Sequence, residues 1–305
     1  MFLAGTLAIS TALPSSAGAR DKPLAVNSSS ATNASSPSWS PNGRKIAFER
    51  HWQIWVMNAD GSHQHRLTRP RSAQDSQPAW SPDGKRIVLV RGDGYTSEIW
   101  IMKADGSKQR RLTRFQTLAA HPTWSPDGRR IAFQRDSPGV IYIVNADGSR
   151  PHQLTNFGDD ANPAWSPDGR TIAFNNGTGK NGGTYTYEIH TVNADGRGHR
   201  QLTHNGSDDP DPAWSPDGRK IAYAKGRAGV TSGELPGRPQ GHTRIYLINA
   251  DGSGEHRLTN NRASEGDPAW SRGGRKIAFE KRIGHRPPQI YVMNADGSHQ
   301  RQLTK

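Results

Sequence analysis

Apolar residues along this chain fall in short, evenly spaced beats rather than in long runs. A Trp closes one beat. Ile-Ala-Phe or a close variant makes the next, Ile-Tyr-Val or Ile-Trp-Val the third and a lone Leu the last, and the set then repeats. Within the beats apolar and polar positions alternate in twos, and no stretch shows the spacing of an amphipathic helix, so each unit is predicted to hold four short strands. Between the first two beats stands Ser-Pro-Asp-Gly, which predicts a type I turn with Pro second, Asp third and Gly supplying a positive φ. Between the last two stands Asn-Ala-Asp-Gly, predicted to make the next tight turn.

Trp39, Trp80, Trp124, Trp165, Trp214 and Trp270 mark six copies, 41 to 56 residues apart. The sixth is eroded to Trp270-Ser271-Arg272-Gly273-Gly274. Four antiparallel strands repeated six times predict an all-β, six-bladed β-propeller. A parallel β-helix needs shorter coils, and strand–helix units need helices. The expected blades are 37–68, 78–113, 122–155, 163–203, 212–259 and 268–304, within a domain of 37–305. If the four strands of each unit are contiguous, blade six meets blade one by side-chain packing alone; the alternative adds residues 23–27 to an outer edge.

Composition sharpens this picture. Hydrophobic residues make up 32% of the chain, which suits a repeat fold whose core is shared in thin layers between neighbours. The absence of cysteine excludes disulfides and thiol chemistry. The apolar run Phe2–Leu13, followed by Ala17-Gly18-Ala19, reads as a signal peptide over 1–19. Residues 20–36 read as a linker rich in Ser, Asn and Ala. The protein is therefore expected to be periplasmic or secreted and monomeric, with no transmembrane segment in the mature chain.

Beside the formal charge of +13, a basic pair repeats after each first turn: Arg44-Lys45, Lys85-Arg86, Arg129-Arg130, Arg219-Lys220 and Arg275-Lys276, with Arg170-Thr171 the exception. These are expected to be solvated turn charges. Nucleic acid is not an expected partner, because the repeat Trp that could offer stacking platforms is committed to packing between blades.

Antiparallel blades sort their loops onto two faces, and the loops that enter each innermost strand converge on the axis. One residue before the Pro of that strand stand Ser36, Gln77, His121, Asn162, Asp211 and Asp267. Three residues before it stand Ala34, Asp75, Ala119, Asp160, Asp209 and Glu265. Six carboxylates at two repeat positions are out of character for so basic a chain. The expected ligand-binding set at the channel mouth is Asp75, Gln77, His121, Asp160, Asn162, Asp209, Asp211, Glu265 and Asp267. Asp160, Asp209, Asp211 and Asp267 are candidate ligands for a hard cation such as Ca²⁺, or for a cationic group on a partner. His65, His152 and His256 share a position on the outermost strand and are expected to scatter around the rim. Gly177-Thr178-Gly179-Lys180-Asn181-Gly182 spells G-x-G-x-x-G but reads as a flexible loop. Two long loops, Asn175–Tyr187 and Ala224–Thr243, are expected beside the mouth, with Tyr185 and Tyr187 as contact anchors.

The pattern Trp-Ser-Pro-Asp-Gly-(Arg/Lys)-(Lys/Arg)-Ile-Ala-Phe … Ile-Tyr-Val-Met-Asn-Ala-Asp-Gly resembles the TolB-type propeller repeat and covers residues 37–304. The resemblance implies a repeat that serves binding proteins, accessory domains of enzymes and some lyases. TolB itself, on this resemblance, is a periplasmic propeller that binds partner proteins of the cell envelope. The α/β domain that precedes its propeller finds no room in residues 20–36. The leading expectation is a non-catalytic scaffold that binds a protein or cell-envelope ligand at the channel mouth. One alternative is a polysaccharide-active lyase or hydrolase with its site there. The resemblance implies clustered histidines in such lyases, against His121 alone here. The other alternative is an accessory module for a separate enzyme.

Overall fold

The computed structural model describes residues 33–136, 139–181, 184–226 and 242–305. The expected signal peptide, the linker up to residue 32 and most of the segment Ala224–Thr243 lie outside the described residues. The described chain forms six four-stranded sheets, each with its strands hydrogen-bonded in sequence order. All pairings are antiparallel, as in blade one: Ser35–Trp39, Lys45–Arg50, Gln53–Asn58 and His65–Arg66. The first strand starts at Ser35, inside the expected linker. Innermost strands touch those of both neighbours around the whole ring; Ser35–Trp39 meets Gln74–Trp80 on one side and Ser264–Trp270 on the other. The protein is a closed six-bladed propeller. Among the described residues no helix is long and apolar enough to cross a membrane.

Both faces of each blade are buried, so alternate residues of one strand serve different neighbours. Ala47 and Ile54 of blade one pack with Ile87, Leu89 and Met102 of blade two. Ile46 and Phe48, on the opposite face, pack with Ala278, Ile290, Val292 and Leu303 of blade six. A modest apolar content is enough because the core is divided into such interfaces.

The Ser-Pro-Asp-Gly turns form as expected. The Gly84 N–H donates to the Ser81 carbonyl at 2.9 Å with φ +69 at Gly84. The Ser81 hydroxyl and the Lys85 N–H both donate to Asp83 Oδ1. Each turn also leans on its neighbour: the Gly84, Gly169 and Gly218 backbones lie against Pro41, Pro126 and Pro167 of the preceding blade. The eroded sixth copy has Arg272 where the others have Pro. Consistently, nothing lies within 4 Å of where a Gly43 side chain would start, and Arg272 instead donates to the Pro41 carbonyl at 3.3 Å.

Among the described residues the ring closes without strand exchange, but not by side-chain packing alone. Across the seam the Ala34 N–H donates to the Pro288 carbonyl at 2.8 Å, Trp39 Nε1 to Ala269 O at 3.1 Å and Arg301 Nη1 to Asp60 O at 2.9 Å. Residues 23–27 lie outside the described chain. The Thr of each Leu-Thr pair is buried, and its hydroxyl accepts the N–H of a strand residue in the same blade, such as Ile54 from Thr68 and Ile245 from Thr259.

Two loop expectations change. The segment expected as a loop from Asn175 to Tyr187 lies within a long hairpin of Thr171–Asn181 with Thr184–Asn193, and Gly177 and Gly179 pair with Tyr187 and Tyr185. The basic pairs also change: the second member is not always a solvated charge, since Arg86 and Arg130 lie over the rings of Trp124 and Trp165 in the next blade.

Candidate functional site

Ser36, Gln77, His121, Asn162, Asp211 and Asp267 meet around one axial pocket of about 180 Å³, backed by the prolines that follow each of them. The backbone explains the convergence. All six adopt a positive φ, between +48° and +60°, in five blades at the point where strand pairing slips by a bulge, for example between Ser76 and Ala79, and in blade five just ahead of the strand Ala213–Trp214. Non-glycine residues in this region are strained. Here they are strained in register, so that six side chains turn toward the axis together.

The side chains are linked in two groups, Gln77 with His121 and Asn162 through Asp211 and Asp267 to Ser36. Gln77 Oε1 accepts the His121 N–H at 2.7 Å, and Gln77 Nε2 lies 3.1 Å from His121 Nε2. Asn162 Nδ2 donates to Asp211 Oδ1 at 2.5 Å, the Asp267 N–H donates to Asp211 Oδ2 at 3.3 Å, and the Ser36 hydroxyl donates to Asp267 Oδ2 at 3.3 Å. The ring therefore has an acidic arc, from Asn162 to Ser36, and a neutral one at Gln77 and His121. Burial pushes Asp211 up to about 8, and the Asp267 charge beside it adds to the rise. Burial raises Asp267 as well. His121 is held down at about 4 by burial, so its imidazole is neutral.

Sequence reasoning missed a second acidic layer. Glu49 is pushed up to about 7 by burial, with the Asp267 charge adding to it. Glu280 is held well above the usual carboxylate range by burial and by Asp267. Both follow the Ile-Ala-Phe beat. The equivalent positions are Val90, Gln134, Asn175 and Ala224, and so mixed a set gave no repeat signal. A His pair was missed too: His190 Nδ1 and His199 Nε2 lie 2.8 Å apart in blade four, away from the axial ring, and burial holds His190 down at about 4.

The residues three before the Pro do not join the ring. Asp75, Asp160, Asp209 and Glu265 are fully buried or nearly so and are used inside the blade wall. Asp75 is clamped by Arg91 at 2.5 and 2.8 Å. Asp160 is bonded by Asn176 Nδ2 at 2.6 Å, Asp209 by Asn205 at 2.8 Å, and Glu265 by Asn261 at 2.6 Å and by the Thr259 hydroxyl. Two copies have Ala at this position, Ala34 and Ala119. There Gln289 and Glu98 take over the hydroxyls of Thr304 and Thr113. This position thus ties one blade to the Leu-Thr of the blade before it, and no sequence signal separated that duty from ligand binding. Tyr187 is likewise engaged, donating to Asp159 Oδ2 at 2.7 Å.

The expected calcium set does not assemble. Among the described residues no three His, Asp or Glu side chains stand close enough to share a metal ion, and Asp160 and Asp209 face their own blade partners. His65, His152 and His256 are exposed on outer strands, each bonded to a nearby backbone carbonyl.

The raised carboxylates carry a pH prediction. Asp211 binds its proton more tightly folded than unfolded, so its contribution to stability is complete below the unfolded value near 4 and is lost as pH rises through about 8. Asp211→Asn, which mimics the protonated form, is expected to match wild type at pH 4 and to be more stable at pH 8. We expect about 1 kcal/mol, well below the full shift because Asp211 is only partly buried, and so about 3 °C in thermal unfolding. An unchanged difference between the two proteins from pH 4 to 8 would contradict it.

The comparisons place the fold. A family model for the TolB beta propeller domain matches residues 22–114. A solved structure assigned as TolB of Agrobacterium tumefaciens is 22% identical, with a TM-score of 0.66 and coverage of 86% of this chain and 90% of that one. TolB of Acinetobacter baumannii is 21% identical, with a TM-score of 0.68 and coverage of 90% and 64%; this chain thus matches under two thirds of that protein. An oligogalacturonate lyase of Vibrio parahaemolyticus is 12% identical, with a TM-score of 0.60 and coverage of 86% and 77%. No curated protein sequence matches. At these identities the structures speak to fold alone. The chain is a six-bladed β-propeller similar in fold to the TolB structures, and residues 22–114 match the TolB beta propeller domain.

Proposed function

We propose that this protein is a periplasmic or secreted binding scaffold that receives a protein or cell-envelope ligand over the axial mouth. The observation that carries this reading is the convergence of six strained, hydrogen-bonded side chains, Ser36 to Asp267, on one pocket. Its volume of about 180 Å³ is below the roughly 300 Å³ at which pockets begin to enclose a small-molecule substrate. It suits a side chain or chain end presented by a larger partner. The acidic arc favours a group that brings hydrogen-bond donors or positive charge. The apolar run Phe2–Leu13 and the small residues after it support export.

A photo-crosslinking residue at Gln77 or Asn162 is expected to capture one discrete envelope partner, and the same probe at Arg129, on the turn face, is expected not to. Adding Asp211→Ala with Asp267→Ala should cut recovery about tenfold, the loss of one or two charge-assisted hydrogen bonds. Equal recovery from both faces, or from the double variant, would refute the mouth as the site.

A further inference from the structure

Five of the six copies place a basic residue two positions after the turn glycine: Lys45, Arg86, Arg130, Lys220 and Lys276. Where it is arginine, the guanidinium covers the repeat Trp of the next blade. Arg86 Cζ lies 4.7 Å from the centre of the Trp124 ring and Arg130 Cζ 4.8 Å from that of Trp165. Arg86 shows the full set of contacts: its guanidinium also donates to the Gly128 carbonyl at 3.4 Å and lies 4.0 Å from Asp83.

Blade four departs from this pattern. Thr171 stands where the basic residue belongs, and the next Trp, Trp214, borders a cavity of about 390 Å³. Two other residues in the lining differ from most copies. Thr191 stands where Val56, Ile101, Ile143, Leu247 and Val292 stand, adding a hydroxyl to the wall. Gly198 occupies the positive-φ position that carries His63, Lys108, Arg150 and His299 in four copies and Gly254 in blade five. The groups that receive Arg86 in blade two all recur in this lining: Trp214 for Trp124, Asp168 for Asp83 and Gly218 for Gly128.

We propose that this cavity is a guanidinium-binding site, in which a ligand takes the place over Trp214 that Arg86 and Arg130 fill over Trp124 and Trp165. The indole face attracts a planar cation, and Asp168 and Asp217 supply negative charge at its edge. Hydrogen bonds from Ser166 and Ser215 hold these two carboxyls below the usual range, so both are ionised at neutral pH. Arg200 also reaches the cavity, its guanidinium donating to the Asp251 carbonyl at 2.5 Å, and the Arg170 and Arg219 charges act on Asp168 and Asp217, so the indole face and the carboxylate geometry, not a net negative charge, select the ligand. The volume falls within the range of small-ligand pockets. The site lies on the turn face, away from the axial mouth, so it stands or falls independently of the function proposed above. The guanidinium could belong to a free guanidino compound or to an arginine side chain of a peptide.

Indole N–H resonances of the full chain distinguish these cases, with the Trp214 signal assigned from Trp214→Phe. Titration with methylguanidinium and with the tripeptide Gly-Arg-Gly is expected to move the Trp214 signal saturably. Thr171→Arg should fill the cavity from within, weaken both ligands at least about tenfold and raise the melting temperature slightly. Thr171→Val, which leaves the cavity open, should keep binding, and Asp217→Asn should weaken it severalfold. Tighter binding of the tripeptide identifies a polypeptide arginine as the ligand, and binding of methylguanidinium alone identifies small guanidino compounds. A Trp214 signal that does not move, or that moves equally in wild type and in Thr171→Arg, overturns the site.

Discussion

Arg91→Met is expected to lower the melting temperature by about 10 °C, because it strands a carboxylate inside a blade wall. Asp75 is fully buried, and its two oxygens are held by Arg91 Nε and Nη2 at 2.5 and 2.8 Å. The same guanidinium stacks on Trp100 at 4.5 Å and donates to Gln109. Removing one partner of a buried pair costs about 3–5 kcal/mol, because the other charge stays behind without compensation. For a domain of this size each kcal/mol corresponds to about 2–4 °C. Met keeps most of the apolar stem, so lost packing contributes little. The discriminating measurement is the double variant Asp75→Ala with Arg91→Met. Blades one and three carry Ala34 and Ala119 at this position and are built normally around them, so the double variant is expected to recover most of the loss. A single variant that melts within a degree of wild type, or a double variant no better than the single, would show that the pair does not hold the wall.

That pair also shows where sequence reasoning stopped. The six copies revealed the blade order, both tight turns and the two positions ahead of each Pro, because all of these repeat. They could not reveal which of the two positions faces the axis. Asp75 and Gln77 are two residues apart, and in a regular strand they would share a face. The positive φ at Gln77 and the slip in pairing after Ser76 separate them, sending one side chain to the pocket and the other into the wall. Asn, Asp and His favour the left-handed region more than other non-glycine residues, and His121, Asn162, Asp211 and Asp267 hold four of the six positions, but Ser36 and Gln77 do not share that preference, so the repeat position as a whole did not announce it. Glu49 and Glu280 were hidden for the opposite reason: their position varies freely among copies, so its contribution to the acidic layer depends on which blades adjoin Asp267. The cavity beside Trp214 was visible in outline, since Thr171 breaks the basic pairs, but its meaning needed the sight of Arg86 lying on Trp124.

The contact that repeats most strictly leaves little trace in sequence beyond a glycine. In every blade the glycine of Asn-Ala-Asp-Gly, or of Lys103-Ala104-Asp105-Gly106, sits against the Leu carbonyl that ends the preceding blade. A side chain begun at Gly106 would lie 2.6 Å from Leu67 O and 3.3 Å from two further Leu67 backbone atoms, and φ there is +84. Gly106→Ala is therefore expected to cost about 3 kcal/mol or more, of which about 1–2 kcal/mol is the left-handed backbone and the rest is forcing two blades apart. Gly43→Ala isolates the first contribution. Its φ is +69, and nothing lies within 4 Å of the added carbon, so the backbone strain alone applies. Thermal unfolding of the two variants should separate them by several degrees. Equal losses would mean that the close approach of turn to carbonyl does not set blade spacing. Because the same approach runs around the ring, and a side chain begun at Gly61 would lie 2.9 Å from Leu303 O where blade one meets blade six, a large loss at Gly106 would also account for how two blades that exchange no strand among the described residues are kept together.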